Sequence, residues 1–258
     1  MNALERALIE KAGYDNGFEN VLADAPPDAA RMASARHRAQ VEVRLEQGAY
    51  HLRILATLAS FADELVRSFP AARQADGCFI ALGEAQLAAQ LRRASMLALA
   101  LPHQALHTYE AAVDAALAVL PAAERGTEVE RLVRQRVGQQ TYRDALLDYW
   151  GGACAVTGIN VPEVLRASHA MPWADCTGDT ERLDVFNGFL LAANLDALFD
   201  RFLISFDEQG GLLVSRALLE PQRTALGLHQ SLRLRWLAPE HAPYLAYHRE
   251  RMATERPT

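Results

Sequence analysis

The feature that most constrains the fold is a change of period at Gly151-Gly152. Upstream, apolar residues recur at helical spacing through Leu87, Leu91, Ala94 and Leu97. They do so again through Val129, Leu132, Val133, Val137, Tyr142, Leu146 and Leu147. Spacings of three and four put such residues on one face of an α-helix. Pro102 and Pro121 punctuate the stretch, so helices are expected over 83–101, 104–120 and 127–150. Thr127 and Glu130 form a Thr-x-x-Glu pattern, which reads as a capping box opening the third helix. The paired glycines close it. Downstream, the apolar runs are short and bounded by turn residues, which is how strands read. Long helices followed by short strands make an α+β chain.

The flanks add to this. A short helical pattern near the start is broken by Ala25-Pro26-Pro27-Asp28. Val41-Glu42-Val43-Arg44-Leu45 alternates like a strand, and Glu46-Gln47-Gly48 suits a turn. Residues 49–58 read either as a returning strand or as the start of a helix. Cys78-Phe79-Ile80-Ala81-Leu82 is another strand candidate. Near the end, 203–206 and 212–215 flank Gly210-Gly211 as a hairpin. Residues 231–237 alternate like a final strand, and 239–252 read as a closing helix. Pro121-Ala122-Ala123-Glu124-Arg125-Gly126 is the natural linker. The expected division is therefore a mixed α+β N-terminal module over 1–122 and a second domain over 127–251.

Composition narrows the function classes. The net charge is −6, which counts against a broadly basic nucleic-acid binder and leaves a nuclease to work with a local basic patch. Lys11 is the sole lysine, so nearly all cations are arginines. The guanidinium fork suits phosphate, although a GC-rich genome produces the same arginine and alanine bias. Cys78, Cys154 and Cys176 are far apart and form no Cys-x-x-Cys pair. A zinc ribbon and a disulfide framework are both unexpected, and a reduced cytoplasmic setting fits. Met1-Asn2-Ala3-Leu4-Glu5-Arg6 has no basic region leading into an apolar stretch, so no signal peptide is expected. The most apolar run, 96–101, is far too short to span a membrane.

The chemistry concentrates between Arg166 and Asp200. Arg166-Ala167-Ser168-His169 places one histidine on a short extended run. Asn187-Gly188 follows as a turn, then Phe189-Leu190-Leu191 as a buried strand, then Asn194-Leu195-Asp196-Ala197-Leu198-Phe199-Asp200 as a helix. Asp196 and Asp200 are one turn apart and share a face, with Leu195, Leu198 and Phe199 as the anchoring side. Hydrolysis of a phosphodiester needs a base for water, a cation for the developing charge and a frame that holds both.

This order of residues resembles the HNH (ββα-metal) endonuclease family. The likeness extends to Arg136-Val137-Gly138-Gln139-Gln140, Leu146-Leu147-Asp148-Tyr149-Trp150, Cys154-Ala155-Val156-Thr157-Gly158, Pro172-Trp173-Ala174-Asp175-Cys176, Arg182-Leu183-Asp184-Val185-Phe186-Asn187-Gly188 and the closing Tyr244-Leu245-Ala246-Tyr247-His248-Arg249. Together these blocks look like one bacterial HNH subgroup. The resemblance implies that His169 is the general base, that Asn187 orients it, and that Asp196 is the helix metal ligand with Asp200 the second helix position. Ser168 holds the place where many members carry a metal-binding Asp or His. The oxygen donors favour Mg²⁺ or Mn²⁺ over Zn²⁺. The implied partner is DNA, without a membrane. One active site cuts one strand, so a double-strand break calls for a homodimer or two visits.

Several residues keep two readings. Arg166 either holds a phosphate or pairs with Asp184. Trp173 either packs in the core or stacks on a base. Asn194 caps the helix, or joins the metal site. Asp196 also complements the helix dipole, and Asp200 also suits pairing with Arg201 or Arg182. His241 and His248 are expected at the surface, where His248 and Arg249 would reach the DNA backbone. The chain departs from the subgroup at Ala153 and Met171, where cations are usual, and at Phe202, where glycine is usual. Two functional readings follow: a metal-dependent DNA endonuclease with a place in restriction or phage defence, and a catalytically weak or dead HNH-fold DNA-binding or regulatory protein.

Overall fold

The structure is a computed structural model describing residues 1–55, 60–121, 126–229 and 231–254. These form two compact units, Met1–Gln104 and Ala105–Thr258. The chain is mixed helix and strand, as the α+β reading expects. Among the described residues, no helix is long and apolar enough to cross a membrane.

In the first unit, α1 (Ala3–Asp15) leads to β1 (Asn20–Val21), β2 (Ala29–Ala33), β3 (Gln40–Glu46) and β4 (Ala49–Ile54). Then come α2 (Phe61–Ser68), β5 (Phe79–Ala81) and α3 (Glu84–Ala100). The five strands form one sheet in sequence order, each pair antiparallel. Gln47 and Gly48 both have positive φ, the geometry of a two-residue hairpin turn whose twist matches the strands. Residues 49–54 therefore return as a strand, and 56–58 lie outside the described residues. α3 buries Leu87, Leu91, Ala94 and Leu97 and packs on α1, α2 and β5. α2 and the short β1 and β2 had no clear sequence signal.

The helix α4 (Pro102–Ala118) lies across the division between the units. Residues 122–125, the middle of the expected linker, lie outside the described residues. α5 (Thr127–Tyr149) starts one residue earlier than the capping-box reading requires. Gly126 is its N-cap and no side chain caps it, while the Glu130 carboxylate pairs with Arg134. An intrahelical i,i+4 ion pair has displaced the expected capping box.

The second unit continues with β6 (Leu165–His169), α6 (Asp179–Arg182), β7 (Gly188–Ala192) and α7 (Ala193–Phe199). After these come β8 (Ile204–Phe206), β9 (Leu212–Val214), α8 (Glu220–Ala225) and α9 (Ala242–Thr254). β6 and β7 pair antiparallel, with His169 opposite Gly188. All five residues of β7 are buried, because α5 and α7 both pack on it. That is why Phe189-Leu190-Leu191 is continuous rather than alternating. Phe189, Phe199 and Phe206 meet edge-on or tilted, and Trp150 stacks on Trp236 at 4.2 Å.

The hairpin β8–β9 forms as expected, but 231–237 is not a strand. Its backbone partners change along its length: Leu232 accepts from Leu212, Leu234 donates to Gly210, and Arg235 donates to Ala155. The segment is a strap tying the hairpin to the stretch before β6. Alternation alone does not make a strand without one continuous partner.

Candidate active site

The site is built on β6, β7 and α7. His169 ends β6 with its ring against α5, stacked on the Tyr142 ring at 3.8 Å between centroids and 16° between planes. Trp173 meets it edge-on at 5.9 Å. Its Nε2 lies 2.9 Å from the Arg182 carbonyl. A carbonyl only accepts, so Nε2 carries the proton and Nδ1 holds the free lone pair. Among the described residues, Nδ1 has no hydrogen-bond partner. Burial pushes the imidazole pKa down to about 4, against the opposing pull of the Arg182 carbonyl and the Asp200 charge. The ring is a neutral base at pH 7 in the tautomer a water-activating group needs.

Asn187 does not touch the imidazole. It is fully buried, and its Oδ1 accepts from the Met171 amide at 2.8 Å. Its Nδ2 donates to the carbonyls of Glu181 (3.0 Å) and Met171 (3.2 Å). These bonds staple the loop 170–182, whose last carbonyl, that of Arg182, holds His169. Asn187 thus acts on the base through the loop. Nor is Asn187-Gly188 a hairpin turn. Asn187 ends a 3₁₀ turn (Val185–Asn187), and Gly188 is extended. Gly188 is needed for space: a Cβ there would run into the Tyr142 hydroxyl and the Ser168 carbonyl.

Across the ribbon, the Ser168 hydroxyl donates to Asp196 Oδ1 at 2.6 Å, joining β6 to the first turn of α7. Burial raises the Asp196 carboxyl above its ordinary range. The Ser168 bond opposes this, the Asp200 charge adds to it, and Arg166 opposes it. Asp200 is exposed and makes no ion pair among the described residues. Its expected alternative partner Arg182 binds Asp179 at 3.0 Å instead. Asp200 is the one carboxylate whose charge bears on both His169 and Asp196. Asn194 does not cap α7: Ala192 is the N-cap, without a side-chain bond.

Ser168, Asp196 and Asp200 are hard oxygen donors, with two carboxylates repelling each other, and such a set fits Mg²⁺ or Mn²⁺. Among the described residues, no group of three or more His, Cys, Asp or Glu side chains is placed to hold a metal. The three cysteines are free and buried. A thiolate-rich zinc centre is not built here.

The expected DNA contacts fare unevenly. Arg166 is exposed but does not pair with Asp184; its guanidinium binds the carbonyls of Glu163 and Leu165, both at 2.9 Å. The Asp184 carboxylate instead accepts from the Phe186 amide and the Tyr244 hydroxyl. Trp173 is half-buried, with Arg182 over its ring at 5.4 Å and Gly138 of α5 against its edge. His248 is no surface residue. It is 1% exposed, stacked on Phe199 at 3.8 Å, and bonded to the Phe199 carbonyl and the Ser205 hydroxyl. His241 is likewise buried. Arg249 binds the Phe206 carbonyl and Glu208, so it clamps the β8–β9 hairpin. An aromatic partner, a carbonyl acceptor and a hydroxyl donor outcompeted water for His248, a contest that a surface-type motif does not reveal.

Tyr142 and the Arg182 carbonyl were missed as site groups. Tyr142 reads only as one apolar position among many, and a backbone carbonyl has no sequence signature. Gly138 did carry a signal: glycine inside a helix costs about 1 kcal/mol relative to alanine, which points to close packing, here by Trp173.

An antiparallel ribbon runs into a helix, with a neutral imidazole at the ribbon end and carboxylates on the helix, which is a ββα arrangement. Residues 154–207 match the model of the HNH endonuclease family. That segment, which holds His169, Asn187, Asp196 and Asp200, is similar to an HNH endonuclease domain. No curated protein matches the chain.

Proposed function

We propose that the chain is a metal-dependent DNA endonuclease with His169 as general base. The observation that carries this is the Nε2–H tautomer held by the Arg182 carbonyl, which leaves the lone pair of Nδ1 free to take a proton from water. In the reaction, Nδ1 takes a proton from that water. The resulting hydroxide attacks phosphorus in line, the P–O3′ bond breaks, and the 3′-oxygen leaves with the bonding pair and takes a proton from solvent. Ser168, Asp196 and Asp200 would hold Mg²⁺ or Mn²⁺. When bound, such an ion neutralises charge on the leaving oxygen. Asn187 keeps the loop in register. Exposed Arg166 and the open part of Trp173 lie on the substrate side.

In this reading the nuclease domain covers 127–251, and the module over 1–122 selects the target, in a cytoplasmic protein serving restriction or phage defence. A monomer nicks, and a homodimer cuts both strands. The test is supercoiled plasmid with Mg²⁺, Mn²⁺ or EDTA, beside His169→Ala. Metal-dependent nicking lost in the variant supports the reading.

The second reading is a catalytically weak or dead HNH fold that binds DNA or regulates. Two observations favour it. Ser168 gives Asp196 a hydroxyl where a second strand ligand would sit, and Nη1 of Arg166 is held by two backbone carbonyls. Mn²⁺ binding without cleavage at low salt would decide for it.

A further inference from the structure

We infer that Tyr142, on a helix outside the matched segment, is a positioning residue for the reaction, acting through His169. The inference rests on His169 being the general base.

Tyr142 is 1% exposed and reaches the open end of the β6–β7 ribbon. Its hydroxyl donates to the Asn187 carbonyl at 3.0 Å, with the Ser168 carbonyl at 3.5 Å. Those two carbonyls belong to the residues just before His169 and just before Gly188, one on each side of the ribbon end. The phenol therefore bridges both strands at the point where the base leaves the sheet. Its ring covers one face of the imidazole, nearly parallel. Trp173 closes an edge and the Arg182 carbonyl takes Nε2. Three contacts, one from α5 and two from the loop 170–182, fix a ring that has only two torsions, and the nitrogen they leave uncovered is Nδ1.

Gly188 gives an independent sign that the ribbon is fitted to this phenol. Any Cβ at 188 would occupy the space of the Tyr142 hydroxyl. Gly188 has an extended φ that any residue adopts, so the glycine serves the close approach of the Tyr142 hydroxyl and the Ser168 carbonyl rather than a special φ. A platform of this kind acts on orientation. Misplacing a reacting group by about 1 Å can cost about 100-fold in rate, whereas substrate binding does not pass through the buried phenol.

The experiment compares wild type, Tyr142→Phe, Tyr142→Leu, His169→Ala and the Tyr142→Leu/His169→Ala double variant in plasmid nicking. It adds ¹⁵N and ¹H NMR of the His169 ring without metal. Tyr142→Leu is expected to lose about tenfold or more in kcat with KM within about twofold. Tyr142→Phe, which keeps the stacked ring, is expected to recover most of that loss. In the His169→Ala background, Tyr142→Leu is expected to cost nothing further. The His169 ring protons should carry an upfield ring-current shift that survives in Phe and vanishes in Leu. An equal loss with and without His169, or a kcat within about twofold of wild type in a folded Leu variant, would overturn the inference. If Leu does not fold, an unshifted His169 ring in wild type overturns it and the shift retained in Phe supports it. If wild type does not cut but the ring shift is present, the nuclease reading fails while the platform stands.

Discussion

The Ser168 hydroxyl donates a 2.6 Å hydrogen bond to the Asp196 carboxylate, so the strand and helix of the ββα unit are joined through the residues proposed to hold the metal. Because burial already raises the Asp196 carboxyl, a second carboxylate at 168 adds repulsion unless a cation offsets it. Ser168→Asp is expected to lower Tm in EDTA and to gain more from Mn²⁺ than wild type does. A ligand at 100 times its Kd stabilises by about 2.7 kcal/mol. Thermal melts with and without Mn²⁺ check this. A Tm indifferent to Mn²⁺ in both proteins would remove the metal from this position.

With His169 as the proposed base, activity has an acid limit. His169 is neutral above about pH 4, well below the ordinary imidazole value near 6.5. Nicking is expected to stay nearly flat from pH 8 down to about 5.5 and to fall only below that. A kcat profile with its acid limb centred at 6.5 would mean that the ring is solvated rather than packed between Tyr142 and Trp173.

Gly188→Ala tests the tight end of the ribbon. The added methyl meets the Tyr142 hydroxyl, which cannot retreat without loosening its bond to the Asn187 carbonyl, and the Ser168 carbonyl, which cannot retreat without straining the β6–β7 pairing. The expected cost is about 1–3 kcal/mol, as for other overpacked cores. Urea unfolding measures it, and an unchanged midpoint would show that the ribbon end has slack.

His248 links stability to acid. Its pKa is pushed down to about 4 by burial, while the unfolded value is near 6.5. Between these values the unfolded chain binds more protons, so stability falls as pH drops from 6.5 to 4, by up to about 1.4 kcal/mol per pH unit. His169 acts in the same sense, and the raised Asp184 and Asp196 act oppositely. His248→Gln, compared with wild type by urea midpoints at pH 7.5 and 5, should therefore show the smaller loss. Equal losses would place His248 in solvent.

Much of the ββα unit was legible in advance, for local reasons. The Phe189-Leu190-Leu191 run is long enough for a strand and too short for a helix, and Asp196 and Asp200 share a helix face by spacing alone. The failures share a cause. Asn187-Gly188 looked like a hairpin turn, yet Asn187 ends a 3₁₀ turn and its amide binds the loop 170–182. His248 looked like a phosphate contact, yet Phe199 and Ser205 enclose it. The 231–237 strap alternates like a strand but changes partners at Gly210 and Ala155. Each error concerns which group a side chain or backbone amide would meet, not what the chain does locally.

The sequence by itself determined the helices from α3 to α5, the strand–strand–helix order around His169, and that Asp196 and Asp200 share one helix face. Period, capping and spacing act over a few residues and leave their mark in one dimension. Only the tertiary structure decided that Nε2 is bound and Nδ1 open, that Ser168 holds Asp196, and that Tyr142 lies against the base. Those relations join residues 26 to 45 positions apart or rest on a backbone carbonyl. The physical reason is that hydrogen bonds and ring contacts are chosen by competition among all groups packed within reach, and that competition exists only once the chain has folded.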